Sequence, residues 1–281
     1  MKIAVVGGNG FIGQEFIRYA SKHNHELYVI EKDIDVFEED GQKKAREILS
    51  KCDAMVFLAA IKPTGEFTFN EYLYNIRLAE KYFDVAKDSS IDNVVITSSR
   101  SVYSSGSSWK EKDFDTPLSL YGASKLAVDS LALLYNRQFD MKIKSLRLAQ
   151  VLGLGERKGF LLNTLIDNAR NKEVQHIFGE GIGRRQYIYV KDVCDAILHC
   201  LEFCKDSGGI YNIGMNYNVS IIELAEMIND VFGNAAGIEI HKDKPEDKKQ
   251  YLMDVSKAEK ELNWKPRYNL KEALEDIRDN D

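Results

Sequence analysis

The chain opens on an apolar run, Lys2 to Val6, that halts at a cluster of glycines, and apolar residues then recur at helical spacing from about Phe11 to Lys22. A second apolar run covers about Glu26 to Ile30. Strand, glycine turn, helix and strand in that order specify a right-handed βαβ unit, the seed of a doubly wound parallel sheet. Further strands are expected over Ala54 to Leu58, Asn93 to Thr97 and Ile143 to Leu148, with helical patterns near Phe69 to Asp88 and Tyr121 to Asn136. That alternation puts helices on both faces of one sheet. The stretch between Glu31 and Cys52 reads as too short for a full strand and helix, which predicts a third strand abbreviated to about Asp33 to Phe37.

Beyond Gly153 the pattern changes. A helix is expected over Phe160 to Lys172, then a short segment through Gly183, a strand over Gln186 to Val190, a helix over Val193 to Cys204 and a strand over Gly209 to Ile213. Ile221 to Phe232 reads as another helix, and Ala258 to Leu262 and Leu270 to Ile277 close the chain. The expected division is a large α/β body, residues 1–153 with 186–214 returning to it, and a smaller C-terminal lobe built from 154–185 and 215–281.

With 281 residues, 44% of them hydrophobic and 29% charged, the chain can fill such a core and lacks the bias that marks disorder. A formal net charge of -6 argues against a phosphate-backbone binder, which needs concentrated positive surface, so no nucleic-acid partner is expected. No apolar run approaches the roughly 20 residues that span a bilayer. With the first strand starting at Lys2 and no leader before it, a cytoplasmic protein without a membrane partner is expected. Cys52, Cys194, Cys200 and Cys204 lie in regular segments, as reduced thiols packed like small hydrophobes do. Cys200 and Cys204 stand one helical turn apart beside His199, but a tetrahedral site needs a second ligand pair, so no metal is expected.

The glycine cluster reads Gly7-Gly8-Asn9-Gly10-Phe11-Ile12-Gly13. Its early glycines permit a tight turn and close backbone approach, Gly13 lets the helix pack on the strand, and the helix N-terminus offers amide donors to a pyrophosphate. Alone the motif is weak; between a first strand and a first helix it favours a dinucleotide over a plain turn. Gly7, Asn9, Gly10, Phe11, Ile12 and Gly13 are therefore candidate cofactor residues on a Rossmann-type sheet. Glu31 ends the second strand 18 residues after Gly13, where a carboxylate can accept from the adenosine ribose hydroxyls. That favours NAD. The adjacent Lys32 keeps NADP open, and an exposed acid at a strand end is the competing reading.

Tyr121-Gly122-Ala123-Ser124-Lys125 places a phenol and an ammonium at i and i+4 on one helix face. The cation is expected to favour phenolate, lowering the phenol toward a range where it exchanges a proton with a carbinol hydroxyl. Such pairs are common on helices, and the glycine turn upstream is what gives this one chemical weight. Ser99 lies beyond the Asn93 to Thr97 strand, at the end where open α/β sheets bind ligands, and can bond the reacting oxygen. Ser98, Ser101, Ser104 and Ser105 surround it and read mostly as turn residues.

With these residues in hand, the chain resembles the extended short-chain dehydrogenase/reductase family, in its nucleotide-sugar epimerase and dehydratase branch. The resemblance rests on GGNGFIG, CDAMVFLAA, ITSSRSVYS, YGASK, LRLAQVLG, RRQYIYVKDV and MDVSKAEKELNWKP, whose order and spacing cover nearly the whole chain. It implies Ser99, four residues before Tyr103, as the catalytic serine and Tyr121 and Lys125 as the acid/base pair. It implies that Leu58, Ala59 and Ala60 line the cofactor, that Lys62 approaches the nicotinamide, that Asn75 braces the sheet near the site and that Asp35 lies on the adenine side. In the substrate-binding lobe it implies Arg185 on a diphosphate and Asp247 near the nucleoside ribose. Gln150 stands where asparagine is usual. Lys244 stands where some epimerases use arginine, which replaces a bidentate fork with a point charge. Lys244, Lys248 and Lys249 read equally well as a solvated mixed-charge loop.

The function implied is a nucleoside-diphosphate-sugar epimerase acting at C4 through a transient 4-keto sugar on NAD. A 4,6-dehydratase is disfavoured, because that branch carries an acid pair after its catalytic threonine and here Arg100 and Ser101 follow Ser99. An NAD(P)H-dependent keto-sugar reductase needs the same three residues and stays open, as does a dinucleotide sensor without turnover. The helices near Phe69 to Asp88 and Tyr121 to Asn136 resemble those of a four-helix dimer interface in relatives, so a homodimer is expected.

Overall fold

In a computed structural model that describes residues 1–104, 106–113, 116–156 and 159–280, the chain lays down β1 (Lys2–Val6), α1 (Phe11–Lys22), β2 (Glu26–Ile30), α2 (Glu39–Leu49), β3 (Ala54–Phe57), α3 (Phe69–Asp88) and β4 (Asn93–Ser99). A 3-10 turn at Arg100–Val102 leads to β5 (Gly106–Trp109), α4 (Leu120–Phe139), β6 (Lys142–Leu148), β7 (Gln150–Leu152) and α5 (Leu161–Arg170). There follow β8 (Gln175–Phe178), β9 (Arg184–Arg185), β10 (Tyr187–Tyr189), α6 (Val190–Phe203), β11 (Gly209–Ile213) and β12 (Val219–Ser220). The last elements are α7 (Ile221–Phe232), β13 (Ile238–His241), β14 (Tyr251–Met253), α8 (Ser256–Glu261) and α9 (Leu270–Asp279). Ser105, one of the clustered serines, lies outside the described residues.

Six strands form one parallel sheet in the order β11-β6-β4-β3-β1-β2. Helices cover both faces, so β3 and β4 are buried almost throughout, which is why their sequences AMVF and NVVITSS carry no polar alternation until the last residues of β4. The chain steps from β1 outward to β2 and then crosses back to β3 on the other side of β1. Strand order reverses there, and the C-terminal ends of β1, β3 and β4 open onto a crevice. Later, β10 pairs with β7 and β11 with β6, both parallel, while β8 pairs with β13 and β9 with β12 in separate ribbons.

Asp33 to Phe37 forms no strand, contrary to the sequence expectation. The Asp35 carboxylate accepts from Phe37 N at 2.9 Å, backbone turns close from Ile34 N to Glu31 O and from Glu38 N to Asp35 O, and Gly41 presses on Asp35 so tightly that a Cβ would lie 1.8 Å from its carbonyl oxygen. These turns leave the 11 residues Glu39–Leu49 for a complete helix, and β2 remains the sheet edge.

Helix α4 is fixed to the sheet by buried charge. Asp129, fully buried, accepts from Arg147 Nε at 2.7 Å and from Ser145 Oγ at 2.6 Å, both on β6. Arg147 Nη1 donates to the Tyr103 hydroxyl at 2.6 Å, which donates to Asn212 Oδ1 on β11 at 2.8 Å. Asn212 Nδ2 reaches the carbonyls of Trp109 and Asp254, so one network ties α4 to three further strands and the segment before α8.

Removing one partner of a buried pair leaves the other charge without compensation. Asp129→Ala is expected to lower the unfolding free energy by about 3–5 kcal/mol, measured by urea denaturation. A loss below about 1 kcal/mol would mean that water already screens Arg147.

Candidate active site

The ends of β1, β3, β4 and β6 with their following turns enclose a cleft of about 1000 Å³. At one end lies the glycine turn. Gly7 holds φ +85°, and a Cβ there would stand 2.7 Å from Ala59 N; one on Gly13 would stand 2.2 Å from Gly7 O. Gly7 therefore lets the turn after β3 close against it, and Gly13 lets α1 start directly over β1. A Cβ on Gly10, the N-cap residue, would meet nothing nearer than Gly7 O at 3.4 Å, and no side-chain hydrogen bond caps the first amides of α1. The cradle fits a pyrophosphate at a helix N-terminus. Asn9 Nδ2 donates to Glu31 at 3.2 Å, holding that carboxylate beside the turn.

At the other end α4 meets β4. Ser119 caps α4, its Oγ accepting from Gly122 N at 3.1 Å, and Gly122 sits so close to the turn after β4 that a Cβ would be 2.0 Å from Ser101 O. The glycine of YGASK thus presses Tyr121 toward Ser99. Ser99 Oγ accepts from Ser101 N at 3.1 Å, fixing its rotamer, and shares a hydrogen bond with the Tyr121 phenol. Phe67 packs edge-on against the Tyr121 ring at 5.7 Å. Lys125, nearly fully buried, donates from Nζ to Thr97 O at 2.9 Å on β4.

The electrostatics differ from the expectation that the ammonium would acidify the phenol. Burial pushes Tyr121 up to about 12, with the Ser99 hydrogen bond opposing. Burial likewise pushes Lys125 down to about 8, Asp129 opposing and Lys62 adding to the fall. The reason is orientation, because the ammonium is bonded to the β4 backbone and desolvation outweighs the remaining field at the phenol.

The cleft brings together Gly7, Asn9, Gly10, Phe11, Ile12, Gly13, Glu31, Asp35, Leu58, Ala59, Ala60, Lys62, Ser99, Tyr121, Lys125 and Gln150. Asn75 is not among its walls. Its amide accepts from Ile61 N at 2.8 Å and donates to Ile61 O at 3.0 Å, so it shapes the turn after β3. Arg185 and Asp247 meet at 2.9 Å and are not among the cleft walls. Lys244 lies in an exposed turn after β13, outside the cleft.

Sequence reasoning missed two residues. Glu156 lines the cleft; among the described residues nothing hydrogen-bonds its buried Oε2, and burial pushes the carboxyl up to about 7. Arg100 also lines it, stacked on Tyr251 with Cζ 4.3 Å from the ring centroid. The position of Arg100 beside Ser99 was a signal for the second; Glu156 sits in a polar turn that gives none. The cysteines are all free, and His199 Nε2 bonds Leu262 O at 2.7 Å.

Residues 3–214 match the model of the NAD dependent epimerase/dehydratase family, and the chain belongs to that family. A UDP-glucose 4-epimerase of Corynebacterium glutamicum is 26% identical over 98% of this chain and 94% of its own. Among solved structures, UDP-N-acetylglucosamine 4-epimerase from Bacillus cereus superposes with a TM-score of 0.86 at 27% identity, covering 99% of this chain and 98% of its own. UDP-glucuronic acid 4-epimerase from Bacillus cereus in complex with UDP-glucuronic acid and NAD gives 0.83 at 26% identity, with the same coverage.

Between pH 8 and 10.5 the unfolded chain keeps a proton that folded Lys125 gives up, so the contribution of Lys125 to stability rises with pH through that window, against the falling contributions of Cys52, Cys194, Cys200 and Cys204, whose thiols burial pushes up. Lys125→Met is expected to remove up to about 3 kcal/mol of that rise, read from urea midpoints at the two ends of the window, with Lys144 supplying a residual slope of the same sign. An unchanged pH dependence in the variant would show that the ammonium is solvated.

Proposed function

We propose that the chain is an NAD-dependent nucleoside-diphosphate-sugar epimerase acting at C4 through a transient 4-keto sugar. The observation that carries this reading is the convergence of Ser99, Tyr121 and Lys125 on one end of a cleft whose other end is a glycine-built anion cradle. The family and the 4-epimerases among its relatives support it.

In this reading Gly7 to Gly13 hold the pyrophosphate, Glu31 the adenosine ribose, Asp35 the adenine side, and Leu58, Ala59, Ala60 and Lys62 the path to the nicotinamide. The dinucleotide, when bound, supplies a hydride acceptor that also returns the hydride. Tyr121 takes the proton of the C4 hydroxyl and gives it back after the sugar has turned. Burial favours the neutral phenol in the free enzyme, so Tyr121 first releases its proton to solvent to act as the base, and the neutral phenol formed when it takes the C4 proton is the donor of the return step. Ser99 holds the C4 oxygen and Lys125 lends positive charge when the phenol is ionised. Arg185 and Asp247 bind the nucleoside diphosphate, Gln150 and Lys244 flank it, and residues 154–185 and 215–281 act as the substrate lobe.

Among the described residues no helix is long and apolar enough to cross a membrane. We place the enzyme in the cytoplasm, a reading supported by its four free cysteines. Leu73 and Tyr74 on α3 and Leu133 and Leu134 on α4 are exposed, which supports a homodimer through these helices.

Cofactor released from freshly purified protein is expected to be NAD by mass spectrometry, and a UDP-hexose or UDP-hexuronate is expected to reach its C4 epimer with no net nicotinamide consumption. Tyr121→Phe should cost about 100-fold or more in kcat with NAD still bound; stoichiometric loss of added NADPH would replace the epimerase reading with a reductase. Sedimentation at micromolar concentration is expected to give the dimer mass, and a monomer there would discard the interface.

A further inference from the structure

Arg100 follows Ser99 directly and lines the same cleft, yet the C4 chemistry makes no use of it. Its guanidinium lies over one ring, that of Tyr251, with Cζ 4.3 Å from the centroid, and Arg185 lies over the same ring at 5.1 Å. The two cations differ in what they hold. Arg185 Nη2 donates to the Asp247 carboxylate at 2.9 Å, and its Nη1 donates to the carbonyls of Lys249 and Arg184 at 2.7 and 3.0 Å. Arg100 has a hydrogen bond to the Tyr251 side chain but no carboxylate: among the described residues it forms no ion pair with one, and the groups that act on its charge are Tyr251, Tyr187 and the like-charged Arg185. Burial holds its pKa below the ordinary arginine value.

A partly desolvated guanidinium without a counterion is costly, and its fork of donors matches the paired oxygens of a carboxylate or phosphate. The anion that completes it comes with the ligand. We propose that Arg100 binds a carboxylate at C6 of the sugar, so that the substrate is a nucleoside-diphosphate hexuronate; this rests on the C4-epimerase reading above.

Two anions of such a ligand compete for the assignment, and their positions on the ring separate them. In a pyranose the diphosphate hangs from C1, across the ring from C4, whereas C6 is attached to C5, the direct neighbour of C4. In the C4-epimerase reading Ser99 and Tyr121 flank the C4 oxygen, and Arg100, which follows Ser99 and lines the same cleft, is the cation on the side of the site where a substituent next to C4 would lie. The diphosphate end has Arg185. A neutral hexose would set a hydroxymethyl group against Arg100 and leave the guanidinium without a counter-charge. That is the kind of mismatch by which a polar site rejects a near-isostere.

The test compares kcat/KM for UDP-glucuronic acid and UDP-glucose in wild type, Arg100→Met and Arg100→Lys, with circular dichroism and retained NAD as the check on folding. Wild type is expected to favour the uronate by about 100-fold or more. Arg100→Met should collapse that ratio toward one, and Arg100→Lys should keep part of it as a point charge. A loss that strikes both sugars alike leaves the ratio intact, assigns Arg100 to the diphosphate and overturns the proposal. So does a wild-type preference for the neutral sugar. If neither sugar is epimerised, the function proposed above fails, and calorimetry then decides Arg100 separately. Tighter binding of UDP-glucuronic acid than of UDP-glucose, lost in Arg100→Met, upholds the carboxylate site, and equal binding of the two ends it.

Discussion

The buried pair of Asp129 and Arg147 sets the geometry on which the candidate chemistry depends. Asp129 stands one helical turn beyond Lys125 and two beyond Tyr121, and Arg147 passes the contact to Tyr103, four residues beyond Ser99. One charge network therefore indexes both the helix that carries the phenol and ammonium and the turn that carries the serine hydroxyl. A small rotation of α4 about its axis would break the bonds to Ser145 and Arg147 before it moved Tyr121 by a hydrogen-bond length. Such precision is expensive in desolvation, and a purely apolar contact would pack α4 as well without fixing its rotation. Registry is the return.

Burial then acts in opposite senses on the two groups held there. It makes phenolate unfavourable at Tyr121 and ammonium unfavourable at Lys125, against the Ser99 hydrogen bond that favours the first and the Asp129 carboxylate that favours the second. A site built this way resists ionising in idle form and responds when a ligand excludes the remaining water and brings its hydroxyl to the phenol. Asp129 belongs to this balance too, since it supports the charge on Lys125 while bonded to Arg147.

Much of this was legible in the sequence wherever the determinant was local. The βαβ unit follows from periodicity, the glycine turn from a strand-to-helix junction, and the Tyr121/Lys125 pair from helical spacing. What the sequence hid depends on contacts between distant segments or on burial. The region Asp33 to Phe37 looked like a strand because its turn is made by one Asp35 side chain and by the close seat of Gly41, neither of which has a periodic signature. The direction of the Tyr121 shift depends on desolvation, and spacing carries no information about it. Arg185 and Asp247, 62 positions apart, are joined only by the fold, and Asn75 turns out to hold backbone because the turn at Ile61 folds over it.

The charge distribution sharpens the picture of the ligand. The chain carries a net charge of -6, yet Lys62, Arg100 and Lys125 gather in one cleft. The acids that share this space are engaged or muted: Asn9 donates to Glu31, Phe37 N donates to Asp35, and Glu156 is held by burial near the neutral range, opposed by Lys62. An acidic surface with a cationic crevice repels anions at large and captures those that reach the cleft. A dinucleotide at the glycine turn meets part of this field. The excess lies past Ser99, around Arg100, where a ligand must supply negative charge on its own account.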